Sequence, residues 1–328
     1  MIMTRTPLRI SIGGGGTDLP SYYGEFGGFV ISAAINKYVY ITVNRSFFPG
    51  YFLKYSETEH VEDRGAIRHP LLREALEMQG VSAPLEIVSV ADVPAGTGLG
   101  SSGSFTVGLV HALQAYKRES ASAEQLARKA IEIEMERLRE PTGKQDQYIA
   151  AYGGLLCQEY ERGGGVRLRQ LAMGDGALME LRDSLMLFFV GRTRSASELL
   201  TEQKSRCERG DEEMLESLHF TKQLGREIER VLESGRIFEY GGLLHEHWMS
   251  KRGRSQGMSS SAVDEIYCAA RTTGRALGGK LVGAGGSGFF LFQTRDRKRL
   301  RDVMTGMGLS EMDFGFDFDG SVVLLRNG

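Results

Sequence analysis

A chain of 328 residues exceeds the usual span of one domain, so two lobes with a site in the cleft between them are expected. Its 40 Lys and Arg balance 42 Asp and Glu to a net charge of -2, which removes the electrostatic basis for general nucleic-acid binding, and its longest apolar runs fall far short of the roughly 20 residues of a membrane helix. The residues after Met1, Thr4 to Arg9, are too polar for a secretory core, and three widely separated cysteines, Cys157, Cys207 and Cys268, fit reduced thiols, so a cytoplasmic protein without membrane or nucleic-acid partners is expected. The compositional signal is glycine: 43 Gly against 7 Pro, gathered in a few clusters.

In chain order, Leu8 to Ile12 alternates as a strand and runs into Gly13-Gly-Gly-Gly-Thr-Asp18. Gly27 to Ser32 and Tyr38 to Val43 read as two further strands, and Leu85 to Val90 as another. That strand feeds a loop from Pro94 to Ser104, followed by an apolar helix from Phe105 to Tyr116. Ser122-Ala-Glu-Gln125 is a capping-box start for a helix to about Arg139, which Pro141 stops. Gly154 to Tyr160 reads as a strand, and a lobe boundary is expected near 160, giving domains 1–160 and 161–328. Leu185 to Val190 is strand-like; residues 197–275 are mostly charged helices broken at Gly210 and Gly235. Lys280 to Phe292 reads as strand, glycine turn, strand, and Val322 to Leu325 as a last strand. This order predicts an α+β fold, with a helix-covered antiparallel sheet in the C-terminal half.

The loop glycines Gly96, Gly98, Gly100 and Gly103, around Leu99, Ser101, Ser102 and Ser104, let backbone approach a ligand, while the following helix turns free N–H groups and its positive end toward an anion. No Lys follows them, so this is not a Walker A loop. Alone, a tight turn with a serine N-cap explains the loop equally well. Gly283-Ala-Gly-Gly-Ser-Gly288 matches G-x-G-x-x-G, with Asp302 downstream. It precedes the β-type run Phe289 to Gln293 instead of a helix, so it reads as a glycine turn lining a cleft or as a plain hairpin turn. On the helix from Ser122, Glu134 shares a face with Ala127, Ala130, Ile131 and Leu138, while Glu132 and Glu136 face solvent. An inward carboxylate needs a cation; a Mg²⁺ or an ion pair would serve. Asp146, in Gly143-Lys-Gln-Asp-Gln-Tyr148, could accept a hydroxyl proton or cap a helix. Arg9 could neutralise phosphoryl charge or pair with a buried carboxylate. The histidines form no metal pattern, and no G-x-S-x-G nucleophile elbow is present.

Taken together, Pro7 to Asp18, Pro94 to Ser102 and Gly283 to Gly288 resemble, in order, the three motifs of the GHMP kinases, over nearly the whole chain. The resemblance implies a two-lobed fold with a mixed N-terminal sheet, ATP and Mg²⁺ as cofactors, and phosphoryl transfer to a sugar. Carried over, Pro94, Gly96 and the residues from Gly98 to Ser104 would bind ATP, Ser102 and Glu134 would hold Mg²⁺, Asp146 would be the base, and Arg9 would stabilise the transferred charge. Gly15, Gly16, Thr17 and Asp18, with Gly285 and Gly286, would meet the sugar. Galactokinases carry Glu-His where this chain has Gly15-Gly16. The Gly-Gly-Thr-Asp-Leu-Pro and Gly-Lys-Gln-Asp-Gln-Tyr forms are similar to the D-glycero-D-manno-heptose 7-phosphate kinases of bacterial surface-polysaccharide synthesis, which phosphorylate the anomeric hydroxyl on the way to a GDP-heptose. A phosphorylated acceptor needs a second anion pocket, for which Lys144, Arg192, Arg194, Lys251 and Arg252 are candidates. A kinase for L-fucose or galactose, or a non-catalytic sensor, are the alternatives, and a homodimer is a further expectation.

Overall fold

The computed structural model describes residues 1–191, 196–255, 257–286 and 288–327, and it extends the strand expected at Leu8–Ile12 to β1, Ile2–Gly13. After helix α1 (Pro20–Phe26), the two strands expected next are one, β2 (Gly28–Asn44). A register shift accounts for the difference. Pro7 pairs with Tyr38 and Leu8 with Ile35, so Asn36 and Lys37 bulge out of a ladder that continues on both sides. Every residue from Gly28 to Ile35 is buried, as in a strand covered on both faces, whereas beyond the bulge burial alternates.

The chain continues through β3 (Tyr51–Lys54), β4 (Thr58–Val61), α2 (Pro70–Gln79), β5 (Leu85–Ala91), α3 (Ser101–Tyr116), α4 (Ala123–Ile131), α5 (Gln145–Tyr152), β6 (Leu155–Tyr160) and β7 (Val166–Gln170). The first sheet runs β12-β1-β2-β5-β3-β4, with β6 on the other stretch of β2 and β7 beside β6; β3 and β5 are parallel, which makes it mixed. Apolar α3 is buried against β1 and β2. The boundary expected at 160 falls between β6 and β7, two strands of this same sheet.

Then follow α6 (Asp175–Ser184), β8 (Leu185–Phe189), α7 (Ala196–Glu208), α8 (Glu212–Glu233), α9 (Glu239–Arg252), α10 (Ser261–Thr272), β9 (Ala276–Leu281), β10 (Phe289–Thr294), α11 (Arg297–Gly306), β11 (Ser310–Met312) and β12 (Val322–Arg326). The second sheet is antiparallel, in the order β11-β8-β10-β9. Its aromatic core stacks Phe290 on Phe292 at 4.5 Å between ring centroids, under Trp248 of α9 and Tyr267 of α10. The expected last strand, β12, lies outside this sheet: it pairs with β1, from Ile2 opposite Arg326 onward. A short amphipathic strand carries no signal of which sheet edge it will join.

Candidate active site

Arg9 sits in the buried part of β1, next to the loop that leads into α3. Its backbone N–H donates to the Leu99 carbonyl, and its guanidinium donates to the Gly98 carbonyl. The other edge of the guanidinium meets Asp146 in a fork: Nε to Oδ1 and Nη2 to Oδ2, both at 2.8 Å. Asp146 lies in the first turn of α5, whose Gln145 side chain donates a further bond to Oδ1. Oδ1 is therefore taken twice and Oδ2 once, which leaves a lone pair on Oδ2. The loop glycines make this meeting possible. A Cβ on Gly100 would stand 3.0 Å from Arg9 Cγ and 3.1 Å from Asp146 Oδ2, and one on Gly103 would stand 2.7 Å from the Asp146 Cβ.

Gly100 also starts α3, in the left-handed conformation at φ 75°, and no side chain caps the helix. The first-turn N–H groups of α3 thus face a cavity of about 880 Å³, lined by Arg9, Gly96, Gly98, Gly100, Ser101, Ser102, Glu134 and Asp146, among others. An apolar end of the same cavity is made by Val39, Leu71, Val93, Pro94 and Phe105.

Glu134 reaches the cavity from a stretch that departs from the expected α-helix. The capping box at Ser122 and Gln125 forms in both directions, at 3.2 and 2.9 Å. From Glu132 to Arg137, however, the turns widen to a π-helix, with the Leu138 N–H on the Ile133 carbonyl. Glu134 is 2 % exposed. Its Oε2 accepts from Gln147 Nε2 at 2.9 Å, while Oε1 is buried without a hydrogen-bond partner, as is Ser101 Oγ nearby on the cavity wall. Burial pushes the Glu134 carboxyl up to about 7; the Asp146 charge adds to this, and the Thr106 hydroxyl and Gln147 amide oppose it. An orphaned carboxylate oxygen beside hydroxyls suits Mg²⁺, which takes one or two protein oxygens and completes its shell with phosphate and water. Among the described residues, no group of three or more His, Cys, Asp or Glu could hold a metal by itself.

Comparison with known proteins bears on this geometry. Residues 64–154, which span the loop, Glu134 and Asp146, match the model described as GHMP kinases N terminal domain. The chain carries a GHMP kinase N-terminal domain. It is 28 % identical to a D-glycero-alpha-D-manno-heptose 7-phosphate kinase of Campylobacter jejuni, over 97 % of both chains. It is also 26 % identical to a bifunctional fucokinase/GDP-fucose pyrophosphorylase of Arabidopsis thaliana, over 90 % of this chain and 30 % of that protein. The crystal structure of a D-glycero-D-manno-heptose 1-phosphate kinase from Bacteriodes thetaiotaomicron superposes over 100 % of both chains with a TM-score of 0.82 at 23 % identity. The overall fold, one mixed and one antiparallel sheet with their helices, is the GHMP kinase fold.

Beyond its matched span, the GHMP kinase fold packs the two other glycine clusters onto the site. Gly98 and Gly283 touch backbone to backbone: a Cβ on either would stand 2.6 Å from a carbonyl of the other segment, Val282 or Gly98. Gly283 and Ala284 line the cavity, so the second G-x-G-x-x-G cluster is a turn against the first. Asp18 is buried, with Oδ1 accepting from Gly16 N and Oδ2 from Gln145 N; burial and the Asp146 charge raise its carboxyl. Other expected residues point elsewhere. Thr17 Oγ1 bonds the Gly14 and Phe29 backbone, and Ser104 Oγ donates to the Pro7 carbonyl. Lys144 is turned away: its Nζ donates to the Gly164 carbonyl and lies over the Tyr23 ring. Arg252 pairs on the surface with Asp264, and Arg192 and Arg194 lie outside the described residues. Gln203, which donates to the Gly16 carbonyl at 2.8 Å, and Arg254 escaped the sequence reading. The only signal for Arg254 was the basic run from Lys251.

Gly98→Ala tests the contact between the two clusters. At φ 81° an alanine is strained, and its methyl meets the Val282 carbonyl. A cost of about 1–2 kcal/mol for the left-handed backbone alone corresponds to a roughly tenfold loss in kcat/KM for ATP. Gly96→Ala, at φ 78° with nothing within 4 Å, carries the strain without the clash and should lose less. Equal losses would show that the contact does not matter.

Proposed function

We propose that the chain is an ATP-dependent sugar kinase that phosphorylates the anomeric hydroxyl of D-glycero-D-manno-heptose 7-phosphate, giving the 1,7-bisphosphate used in GDP-heptose and surface-polysaccharide synthesis. The observation that carries this reading is the Arg9–Asp146 fork beside the uncapped N-terminus of α3 in one cavity, in a chain alignable over 97 % of its length with a heptose 7-phosphate kinase. ATP would lay its phosphates on the N–H groups of Ser101 to Gly103 and its base in the apolar end. Mg²⁺, held by Glu134 with Ser101 or Ser102, would offset charge on the β and γ phosphates.

The sugar hydroxyl gives its proton to Oδ2 of Asp146 as its oxygen attacks the γ-phosphorus, and the bond to the β-phosphate oxygen breaks to release ADP. Arg9 fixes the orientation of Asp146 through two bonds, and its remaining N–H groups are free to meet the moving phosphoryl group. Asp18 and Gly16 would contact the sugar hydroxyls. Steady-state turnover with ATP across a panel of heptoses, hexoses and their phosphates tests the reading. The highest kcat/KM is expected on heptose 7-phosphate with product phosphorylated at C1; turnover confined to unphosphorylated L-fucose or galactose would overturn it.

A further inference from the structure

Three basic side chains are buried together, two of them beside Gly16 and the Gly283–Gly286 turn. Arg254, Lys251 and Lys280 are 4 %, 6 % and 2 % exposed, and among the described residues none of them forms an ion pair. Their bonds go to neutral groups. Arg254 donates from Nε to Ser217 Oγ and from Nη2 to Thr221 Oγ1, at 3.1 and 2.7 Å. Lys251, in the last turn of α9, donates to the Leu281 and Gly283 carbonyls, and Lys280 Nζ stands 3.4 Å from His247 Nδ1. Burying one cation without a counterion is costly; three together are a standing demand for an anion.

The free edge of this cluster faces the site. Arg254 Nη1 lies 3.2 Å from the place a Cβ on Gly16 would occupy, and Lys251 Cε 3.5 Å from that of Gly285. Gly16 in turn donates to Asp18, which holds the N–H of Gln145, the neighbour of Asp146. Gly283, bound by Lys251, lines the cavity itself. The two carboxylates Asp18 and Asp146 repel an anion at the reacting end, and the three cations attract one at the other.

We infer that Arg254 and Lys251 hold the non-reacting phosphate of a phosphorylated acceptor, with Lys280 behind them in the same cluster and Gly16 keeping a side chain out of the approach to Arg254. The inference rests on the sugar-phosphate kinase reading above and says where the acceptor's own phosphate goes. Arg presents two donors to phosphate oxygens in a fixed plane, and Lys adds a point charge. Burial and the neighbouring Arg254 and Arg9 charges hold the Lys251 ammonium down at about 7, and a dianion at this place would restore its charge.

The test is steady-state kinetics of Arg254→Gln, Arg254→Lys and Lys251→Gln on D-glycero-D-manno-heptose 7-phosphate and on the unphosphorylated heptose. A hydrogen bond to a charged group is worth about 1.5–3 kcal/mol, so Arg254→Gln should shrink the kcat/KM preference for the 7-phosphate by roughly 10–100-fold. Arg254→Lys should recover part of it. An equal loss on both sugars, or no loss on either, overturns the inference while wild-type turnover of the 7-phosphate leaves the functional reading standing. A wild type that prefers the unphosphorylated heptose overturns both. If melting shows that Arg254→Gln does not fold, Lys251→Gln decides by the same ratio.

Discussion

Asp146→Asn is expected to lower kcat by about 10²-fold or more, the scale of a general base, while ATP still binds. The amide keeps the size of the carboxylate but cannot accept a proton at neutral pH, and its NH₂ is set against one N–H donor of Arg9, which now lacks an acceptor. Part of the loss is therefore positional, because the Arg9 guanidinium keeps the Gly98 carbonyl and at most one arm of the fork. Arg9→Lys separates the contributions: it keeps the charge, abolishes the fork and should cost less than Asp146→Asn. Rapid-quench measurement of the phosphoryl-transfer step checks both variants. An unchanged transfer rate in Asp146→Asn would remove the carboxylate from proton transfer.

The second large effect is expected at Glu134. Removing its charge in Glu134→Gln should raise the Mg²⁺ concentration for half-maximal rate about tenfold or more, since ligand and supporting carboxylates are worth roughly 10–100-fold in metal affinity. The pH dependence carries a signature of its own. With its carboxyl raised to about 7 from the ordinary 4.5, Glu134 must lose a proton to meet the metal, so the wild-type Mg²⁺ requirement should fall as pH rises from about 5.5 to 7.5 and then level. In the variant the requirement should be flat. Stability moves the opposite way. The raised carboxyl favours the folded chain below about 4.5, and that contribution is lost as pH rises through about 7, reaching roughly 3 kcal/mol at about 1.36 kcal/mol per unit. Metal-free Glu134→Gln should therefore melt higher than wild type at pH 8 and gain little at pH 5. A Mg²⁺ titration identical to wild type would leave Glu134 as a structural carboxylate.

How much of this was legible depends on whether a feature is written locally. The capping box, the strand-loop-helix unit around Pro94–Ser102 and the glycine breaks at 210 and 235 are properties of a few adjacent residues, and they stand where their chemistry puts them. Glu134 could be placed on an inward face by helical spacing, although the π-helical widening at 132–137 was invisible, because it arises from packing and leaves no periodicity of its own. What the sequence could not show is pairing across distance. The Arg9–Asp146 fork joins residues 137 apart, and the buried cations of α9 and β9 look like ordinary surface charges until the fold encloses them. Ser104 and Thr17 show the converse: both belong to glycine-rich motifs, yet their hydroxyls serve neighbouring backbone.

The pairing of β12 with β1 has a kinetic meaning. One flank of β1 is met by β2 within the first 44 residues, but the other, from Ile2 to Arg5, is met by a strand ending at Arg326, and Met1 and Asn327 exchange backbone bonds across 326 positions. During synthesis, the Ile2–Arg5 part of that edge thus stays bare until β12 has been made. Closing it joins segments 326 positions apart, whereas the Arg9 stretch is already held by the Leu99 carbonyl.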